Sequence, residues 1–155
     1  MYHGKILRIG LGGLLSVLIS TSLFAQDDVI SKRKAIMSSN SKDAKAIAEA
    51  AKEKDYATIE LKAKEIVGNL DKVGSLFPKG STSEKSRAHP DIWVKTDEFK
   101  NDLANAKKAA EGLSKAAAAK NEAEVNVKVK ELGNPREGAC GQCHKMFRKD
   151  FRKDS

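Results

Sequence analysis

Two cysteines and a histidine near the C-terminus have the residue types and spacing to attach a cofactor. Cys140, Cys143 and His144 form a C-x-x-C-H motif, and the chain has no other cysteine. Thiols three residues apart lie on one face of a helix, so both can bond the two vinyl groups of a single porphyrin. The histidine that follows can then ligate the iron. This spacing is typical of covalent attachment of c-type haem.

Two other interpretations fit a C-x-x-C pair. A thioredoxin-like redox pair lies at a strand-to-helix turn of a βαβ unit, but the sequence has no βαβ pattern and its motif falls in the last predicted helix. A structural disulfide between Cys140 and Cys143, in a helical module without haem, is the other hypothesis. We favour one covalent haem c per chain, and an absorption spectrum would separate this interpretation from the two without haem.

The first 25 residues have the layout of a secretory signal peptide. Lys5 and Arg8 precede an apolar run of sixteen residues, 9 to 24, which is followed by Ala25. We therefore predict cleavage after Ala25, export to the periplasm and a mature domain of residues 26 to 155. A retained membrane anchor is the alternative, but a run of this length diluted by glycine and serine is short for a spanning helix. We expect no stable membrane insertion after cleavage.

The charge pattern argues against a nucleic-acid partner. Removal of the signal lowers the formal net charge from +8 to +6, with 27 basic and 21 acidic residues remaining. The lysines are scattered among glutamates along helical faces, as in solvated helices, and do not form one basic face. A basic cluster beside the haem motif could guide an acidic redox partner, although a solvated helix end is the simpler interpretation. It comprises Lys145, Arg148, Lys149, Arg152 and Lys153.

Apolar residues of the mature chain recur at three- and four-residue steps, the period of amphipathic helices. Four such helices in one small domain predict an all-α, antiparallel four-helix bundle. Aromatic residues make up only 5% of the chain, so a buried porphyrin would supply apolar volume that the core otherwise lacks.

The predicted helices have the following bounds. The first starts at Asp28 and has a weak point, a kink or frayed turn, at residues 38 to 41. The second runs from about Asp55 to Leu76, and the third from Pro90 to Asn121, which closes it. A fourth starts near Glu122, is interrupted at residues 133 to 135, and gives way to a last element from Arg136 to Asp154. Residues 125 to 129 alternate as in a strand, but without a partner strand we predict helix.

These features resemble the class II c-type cytochromes, which comprise the cytochromes c′ and their low-spin relatives of the c-556 type. Members are exported four-helix bundles with C-x-x-C-H near the C-terminus. The resemblance extends over essentially all of the mature chain. It rests on Arg33 four residues before Met37, on Leu76-Phe77-Pro78 before a Gly/Ser loop, on Ile92-Trp93 and Phe99-Lys100, and on the C-x-x-C-H-x-x-[aromatic]-Arg ending at Arg148.

The resemblance implies a role for several residues around a haem. Cys140 and Cys143 would be the thioether anchors, and His144 the proximal iron ligand. Arg33 would reach a haem propionate, where a charge-assisted pair is strong; otherwise it is an exposed helix cation.

Two further residues have weaker implied roles. Trp93 would pack on the porphyrin, or is simply core or a cap on the bundle end. Arg148 would shield or polarise the proximal face of the haem, although a cation also suits the end of a helix on dipole grounds.

Met37 separates two functions that the resemblance leaves open. With the Met37 thioether and His144 as ligands, the iron would be low-spin and the protein a periplasmic electron carrier rather than an enzyme. With Met37 as a plain core residue, the iron would be five-coordinate and high-spin, and would bind nitric oxide or carbon monoxide as cytochromes c′ do. The match across the first helix favours ligation by Met37. The resemblance also implies a periplasmic redox partner protein and a possible homodimer.

Overall fold

The structure, a computed structural model, describes the backbone of residues 18 to 149 and the side chains of residues 27 to 149. This part of the chain is mostly helical and contains no strand, which confirms the predicted all-α class. Most of the predicted signal peptide lies outside it. The described helices are α1 (Leu18–Glu53), α2 (Tyr56–Val73) with a 3-10 turn (Gly74–Leu76), α3 (Asp91–Val94), α4 (Thr96–Ala118), α5 (Glu122–Gly133) and α6 (Ala139–Phe147).

The helices form a four-helix bundle in which α5 and α6 together make the fourth member. α2 packs against α1 and α4, and α4 also packs against α5 and α6. Their inner faces build what we call the main core, which includes Ile47, Ile59, Ile66, Leu113, Val125 and Leu132. A second group, the aromatic cluster, consists of Ile92, Phe99, Cys143 and Phe147. Burying each large apolar side chain contributes roughly 1.5–3 kcal/mol to folding.

Two connections between helices share one backbone conformation. Lys54 (φ 56°) lies in the connection between α1 and α2, and Lys120 (φ 51°) lies in the connection between α4 and α5. The backbone of both residues is in the left-handed region. Asp55 and Asn121 follow them, and each side chain accepts a backbone N–H of the next helical turn. Such caps satisfy donors that a helix N-terminus leaves unpaired. Asn121 also donates its N–H to the Ala116 carbonyl at 3.1 Å, so it closes α4 as predicted and at the same time caps α5.

No frayed turn occurs at residues 38 to 41, where a weak point was predicted, because α1 is continuous through them. The polar side chains of this stretch bond to neighbouring side chains instead of competing for the helix backbone. Asn69 of α2 donates to Asn40 at 2.8 Å. Asp43, which is buried, lies 3.6 Å from the Lys62 ammonium. Contacts between α1 and α2 therefore stabilise a stretch whose local sequence favours disruption.

The predicted third helix is divided at Lys95, whose backbone (φ −103°, ψ 53°) leaves the helical region. The short α3 precedes this residue and the long α4 follows it. The Trp93 indole N–H donates to the carbonyls of Phe77 at 3.1 Å and Pro78 at 3.0 Å. These bonds hold α3 against the end of α2. The residue after the break, Thr96, is exposed.

The last helix is shorter than predicted. A turn delays its start to Ala139, and Arg148 ends it in an extended conformation (φ −116°, ψ 128°). Arg148 then forms an isolated antiparallel bridge with Ala88, and the His89 N–H donates to the Phe147 carbonyl at 2.8 Å. The backbone that follows Phe147 therefore pairs with the loop before α3 instead of continuing the helix. The predicted end of this element lies outside the described residues. The helical prediction for residues 125 to 129 is confirmed.

Candidate haem site

All three residues of the C-x-x-C-H motif lie in α6. Cys140 is half-buried at the margin of the main core, whereas Cys143 is buried within the aromatic cluster. Phe77 and Leu103 pack against both groups. A cofactor bonded to both thiols would therefore lie where the main core meets the aromatic cluster.

Two glycines that the sequence analysis did not single out allow α6 to approach the preceding turn. A Cβ atom on Gly141 would lie 2.4 Å from the Pro135 carbonyl oxygen, and one on Gly138 would lie 2.6 Å from the Asn134 nitrogen. Real Cβ atoms do not come so close to backbone. Gly141 lies inside the motif, but C-x-x-C-H leaves that position open, so the motif alone gave no signal for it.

Burial sets the protonation of the motif. Burial, with smaller contributions from Asp102 and Cys140, raises the pKa of the Cys143 thiol to about 12. Burial also raises the pKa of Cys140. Burial and, to a smaller extent, the Arg148 cation lower the pKa of His144. The imidazole is therefore neutral at pH 7 and keeps a lone pair for a metal ion.

Arg33 is a buried cation, only 4% exposed. Its Nη2 donates to the Ser81 carbonyl at 2.6 Å, and the guanidinium lies 4.5 Å from the centroid of the Phe77 ring. Its Nη1 has no hydrogen-bond partner in the described part of the chain. Burial lowers the pKa of Arg33. A buried charge is costly unless it is paired, so this position fits an anionic group brought by a cofactor.

A row of aromatic rings connects Arg33 with the haem motif. The ring centroids of Phe77 and Phe99 are 4.9 Å apart, and those of Phe99 and Phe147 are 5.2 Å apart, both in edge-to-face contact. Phe99 and Phe147 pack with Cys143 in the aromatic cluster. Offset and edge-on ring contacts of this kind are favourable, and they offer an apolar surface to a flat porphyrin.

The remaining predicted site residues lie around this region. Trp93 packs against the aromatic cluster, and its indole N–H binds the loop after α2. Arg148 directly follows α6, where its charge acts on His144. Met37 is half-buried against the main core, one turn beyond Arg33 on α1, and Cys140 packs against the same core.

A groove of about 440 Å³ lies between α1 and α5, lined among others by Ala44, Ile47, Val129 and Pro135. None of the predicted site residues lines it. The chemistry is instead concentrated at the junction of the main core and the aromatic cluster, where thiols, a neutral imidazole and a buried cation fit a covalently bound haem.

Comparisons with known proteins agree with this arrangement. A family model described as Cytochrome C' matches residues 28–148. A cytochrome c′ of Rhodopseudomonas palustris is 35% identical over 147 residues, which cover 92% of this chain and 96% of that protein. A cytochrome c-556 of the same organism is 29% identical over 140 residues, covering 85% and 90%. The solved cytochrome c′ of Shewanella frigidimarina has a TM-score of 0.72 at 20% identity and covers 81% of this chain and 97% of its own. The chain therefore belongs to the cytochrome c′ family, the class II c-type cytochromes, whose cofactor is haem c bound covalently through cysteines.

Proposed function

We propose that this protein is an exported cytochrome that carries single electrons in the periplasm through low-spin iron ligated by His144 and Met37. The observation that carries the proposal is the position of Met37, half-buried on α1 one helical turn beyond the buried Arg33. Similarity to a cytochrome c-556 over most of the chain supports it. The protein would act without substrate turnover.

Haem c supplies the one-electron chemistry when bound, because its iron alternates between the ferric and ferrous states. Cys140 and Cys143 would hold the haem as thioethers, each thiol adding its sulfur and its hydrogen across one vinyl double bond. His144 would provide a neutral nitrogen ligand and Met37 a thioether ligand. A His/Met pair favours the reduced state.

The surrounding side chains would tune and protect the site. Arg33 would pair with a propionate, and its charge would disfavour the more positive ferric form. Phe77, Phe99 and Phe147 would form an apolar wall against the haem that keeps water away, and electrostatic interactions are stronger in such surroundings. Trp93 would pack at the edge of this wall, and Arg148 would lie on the proximal side.

Visible spectroscopy of the haem-loaded protein tests ligation by Met37. The ferric protein should show a weak sulfur-to-iron charge-transfer band near the red end of the spectrum. Met37→Ala should abolish it and open the iron to carbon monoxide after reduction. The matched control is Met146→Ala, which removes a half-buried methionine of α6 two residues from His144 and should keep the band. A high-spin ferric spectrum of the unmodified protein, with ready carbon monoxide binding, would contradict the proposal.

Gas binding is the second candidate function. The description of the matching family and the relative aligned over 147 residues, which is named cytochrome c′, favour it. Met37 would then be an apolar residue beside an open position of a five-coordinate iron. Nitric oxide or carbon monoxide would bind there. The spectra described above distinguish the two functions.

We further propose a periplasmic location, a redox partner protein and a homodimer. Cleavage after Ala25 would leave Asp27 and Asp28 in the first turn of α1, where the helix dipole favours acidic side chains. None of the described helices is both long and apolar enough to cross a membrane. One solved cytochrome c′ of this fold is a dimer whose dissociation is controlled by ligand. Sedimentation of the holoprotein over a range of concentrations would test whether this chain also forms a dimer.

A further inference from the structure

We infer that the Ser81 hydroxyl is a second hydrogen-bond donor to the haem carboxylate that Arg33 binds. The inference rests on the proposed function only in requiring covalent haem c beside Arg33, and it is independent of what ligates the iron on the Met37 side. Ser81 would then be a positioning residue that fixes one propionate together with Arg33.

The first observation is a pair of unpartnered polar atoms on two residues in direct contact. Ser81 and Arg33 are each 4% exposed, and the Ser81 carbonyl accepts from Nη2 of Arg33 at 2.6 Å. The Oγ of Ser81 and the Nη1 of Arg33 have no hydrogen-bond partner in the described part of the chain. Buried polar atoms are nearly always paired, so two exceptions at one place indicate a shared missing partner.

The chemistry of the two atoms identifies that partner. A guanidinium has donors only, whereas a hydroxyl can donate or accept. A group that satisfies both must be an acceptor with more than one lone pair, and a carboxylate also neutralises the buried charge. A haem propionate carries such a carboxylate.

The backbone around Ser81 holds the hydroxyl in place. The Ser81 N–H donates to the Pro78 carbonyl at 3.0 Å, and Gly80 between them has φ 75°. A positive φ at this position is the signature of a type II turn, which glycine adopts without strain. Trp93 binds the Pro78 carbonyl at 3.0 Å. The turn, the Trp93 indole and the Arg33 guanidinium therefore bind the backbone groups of this segment. The Ser81 hydroxyl remains available to a ligand.

Another serine of the same loop shows that burial alone does not leave a hydroxyl unpaired. Ser86 is 6% exposed, and its Oγ accepts the Ala88 N–H at 3.2 Å. Ser86 is therefore a matched control for Ser81, with the same residue type, loop and degree of burial but a satisfied side chain.

Infrared difference spectroscopy between the ferric and ferrous holoprotein, with haem labelled by ¹³C at the propionate carboxylates, tests the inference. Ser81→Ala should shift one labelled carboxylate band to a more weakly hydrogen-bonded position. It should also lower the reduction potential, because a propionate that loses a donor presents more negative charge to the iron. Ser81→Thr retains the hydroxyl and should restore both values, and Ser86→Ala should change neither.

Unchanged carboxylate bands and an unchanged potential in Ser81→Ala, at normal haem content, would overturn the inference. A crystal structure of the holoprotein with water rather than a carboxylate on Ser81 Oγ would do the same. A protein that binds no haem would overturn both the inference and the proposed function. A high-spin wild-type protein whose carboxylate band shifts in Ser81→Ala would overturn the electron-transfer proposal and support the role of Ser81.

Discussion

At the scale of single residues, the haem site depends on one close backbone approach and one buried charge. Gly141, inside the C-x-x-C-H motif, packs directly on the carbonyls of the turn before α6. Arg33 is buried without a carboxylate partner in the described part of the chain. Both features are unfavourable in the polypeptide alone, and a covalently attached porphyrin beside them explains both.

Gly141→Ala is expected to disturb the motif more than a substitution of its neighbour. The added Cβ would meet the Pro135 carbonyl oxygen at 2.4 Å, so α6 must move away from the turn, at an expected cost of about 1–3 kcal/mol of stability. Haem content and denaturant unfolding of the holoprotein measure the effect. Gln142→Ala changes the exposed position beside it and loses only a side-chain bond to the Arg136 carbonyl. Equal stability of both variants would show that the close approach is dispensable.

Asp102 gives the protein a pH-dependent stability. Burial, and secondarily Glu98, raises the pKa of Asp102. The folded protein then holds this proton to higher pH than the unfolded chain, so the free energy of unfolding falls as pH rises from the ordinary aspartate pKa through the raised one, and stays lower above it. Asp102→Asn should therefore stabilise the holoprotein at pH 7. Urea unfolding at pH 7 and at about pH 3, below the ordinary aspartate pKa, checks this, since the gain should vanish in acid. A variant less stable than wild type at pH 7 would refute it.

At the scale of elements, the two connections that contain Lys54 and Lys120, here called the lysine corners, join consecutive helices at the same end of the bundle. Lys54 of the first corner forms a 2.9 Å ion pair with Glu122, which follows the second corner. Both side chains are exposed, so the pair contributes little to stability. The left-handed backbone at Lys54 and Lys120 is the larger energetic feature, because a side chain with a Cβ is strained there.

Lys120→Gly should stabilise the protein by about 1 kcal/mol, since glycine adopts positive φ without that strain. Thermal unfolding of the holoprotein measures the change. The control is Lys115→Gly, an exposed position in the last turn of α4, where glycine should destabilise by about 1 kcal/mol. If both substitutions destabilise equally, the corner is not strained.

At the scale of the whole molecule, the bundle contains two apolar regions that meet at Phe77 and Leu103. The main core is built of alanine and larger aliphatic residues, and the aromatic cluster lies at the end that carries the haem motif. Cys140 contacts the first region and Cys143 the second. A haem bonded to both would connect the two regions.

Export and covalent haem attachment can be tested together on the full chain. Expressed with its own signal and a c-haem maturation system, the protein should be recovered red from the periplasm with Gln26 at its N-terminus. The haem should stay with the polypeptide through acid-acetone extraction. Mass spectrometry and absorbance of the extract measure both. Cys140→Ser and Cys143→Ser should each leave at most one thioether, whereas extractable haem in the unmodified protein would contradict covalent attachment.

The sequence by itself determined the features that depend only on the spacing of neighbouring residues. The spacing of Cys140, Cys143 and His144 indicates haem attachment, and helical periodicity located the four members of the bundle. Both signals reside within a few turns of one segment, where residue spacing fixes which side chains share a face.

Only the tertiary structure decided the features that depend on contacts between distant segments. The unpaired atoms of Arg33 and Ser81 become evident once α1 and the loop after α2 are in contact. The bond between Asn40 and Asn69 keeps α1 intact where local preference opposed it. The helix bounds differ from the predicted ones for the same reason. The hydrogen bond of the Trp93 indole and the pairing of Arg148 with Ala88 join groups that are far apart in the sequence. Local propensities amount to tenths of a kcal/mol per residue, so contacts of this kind override them.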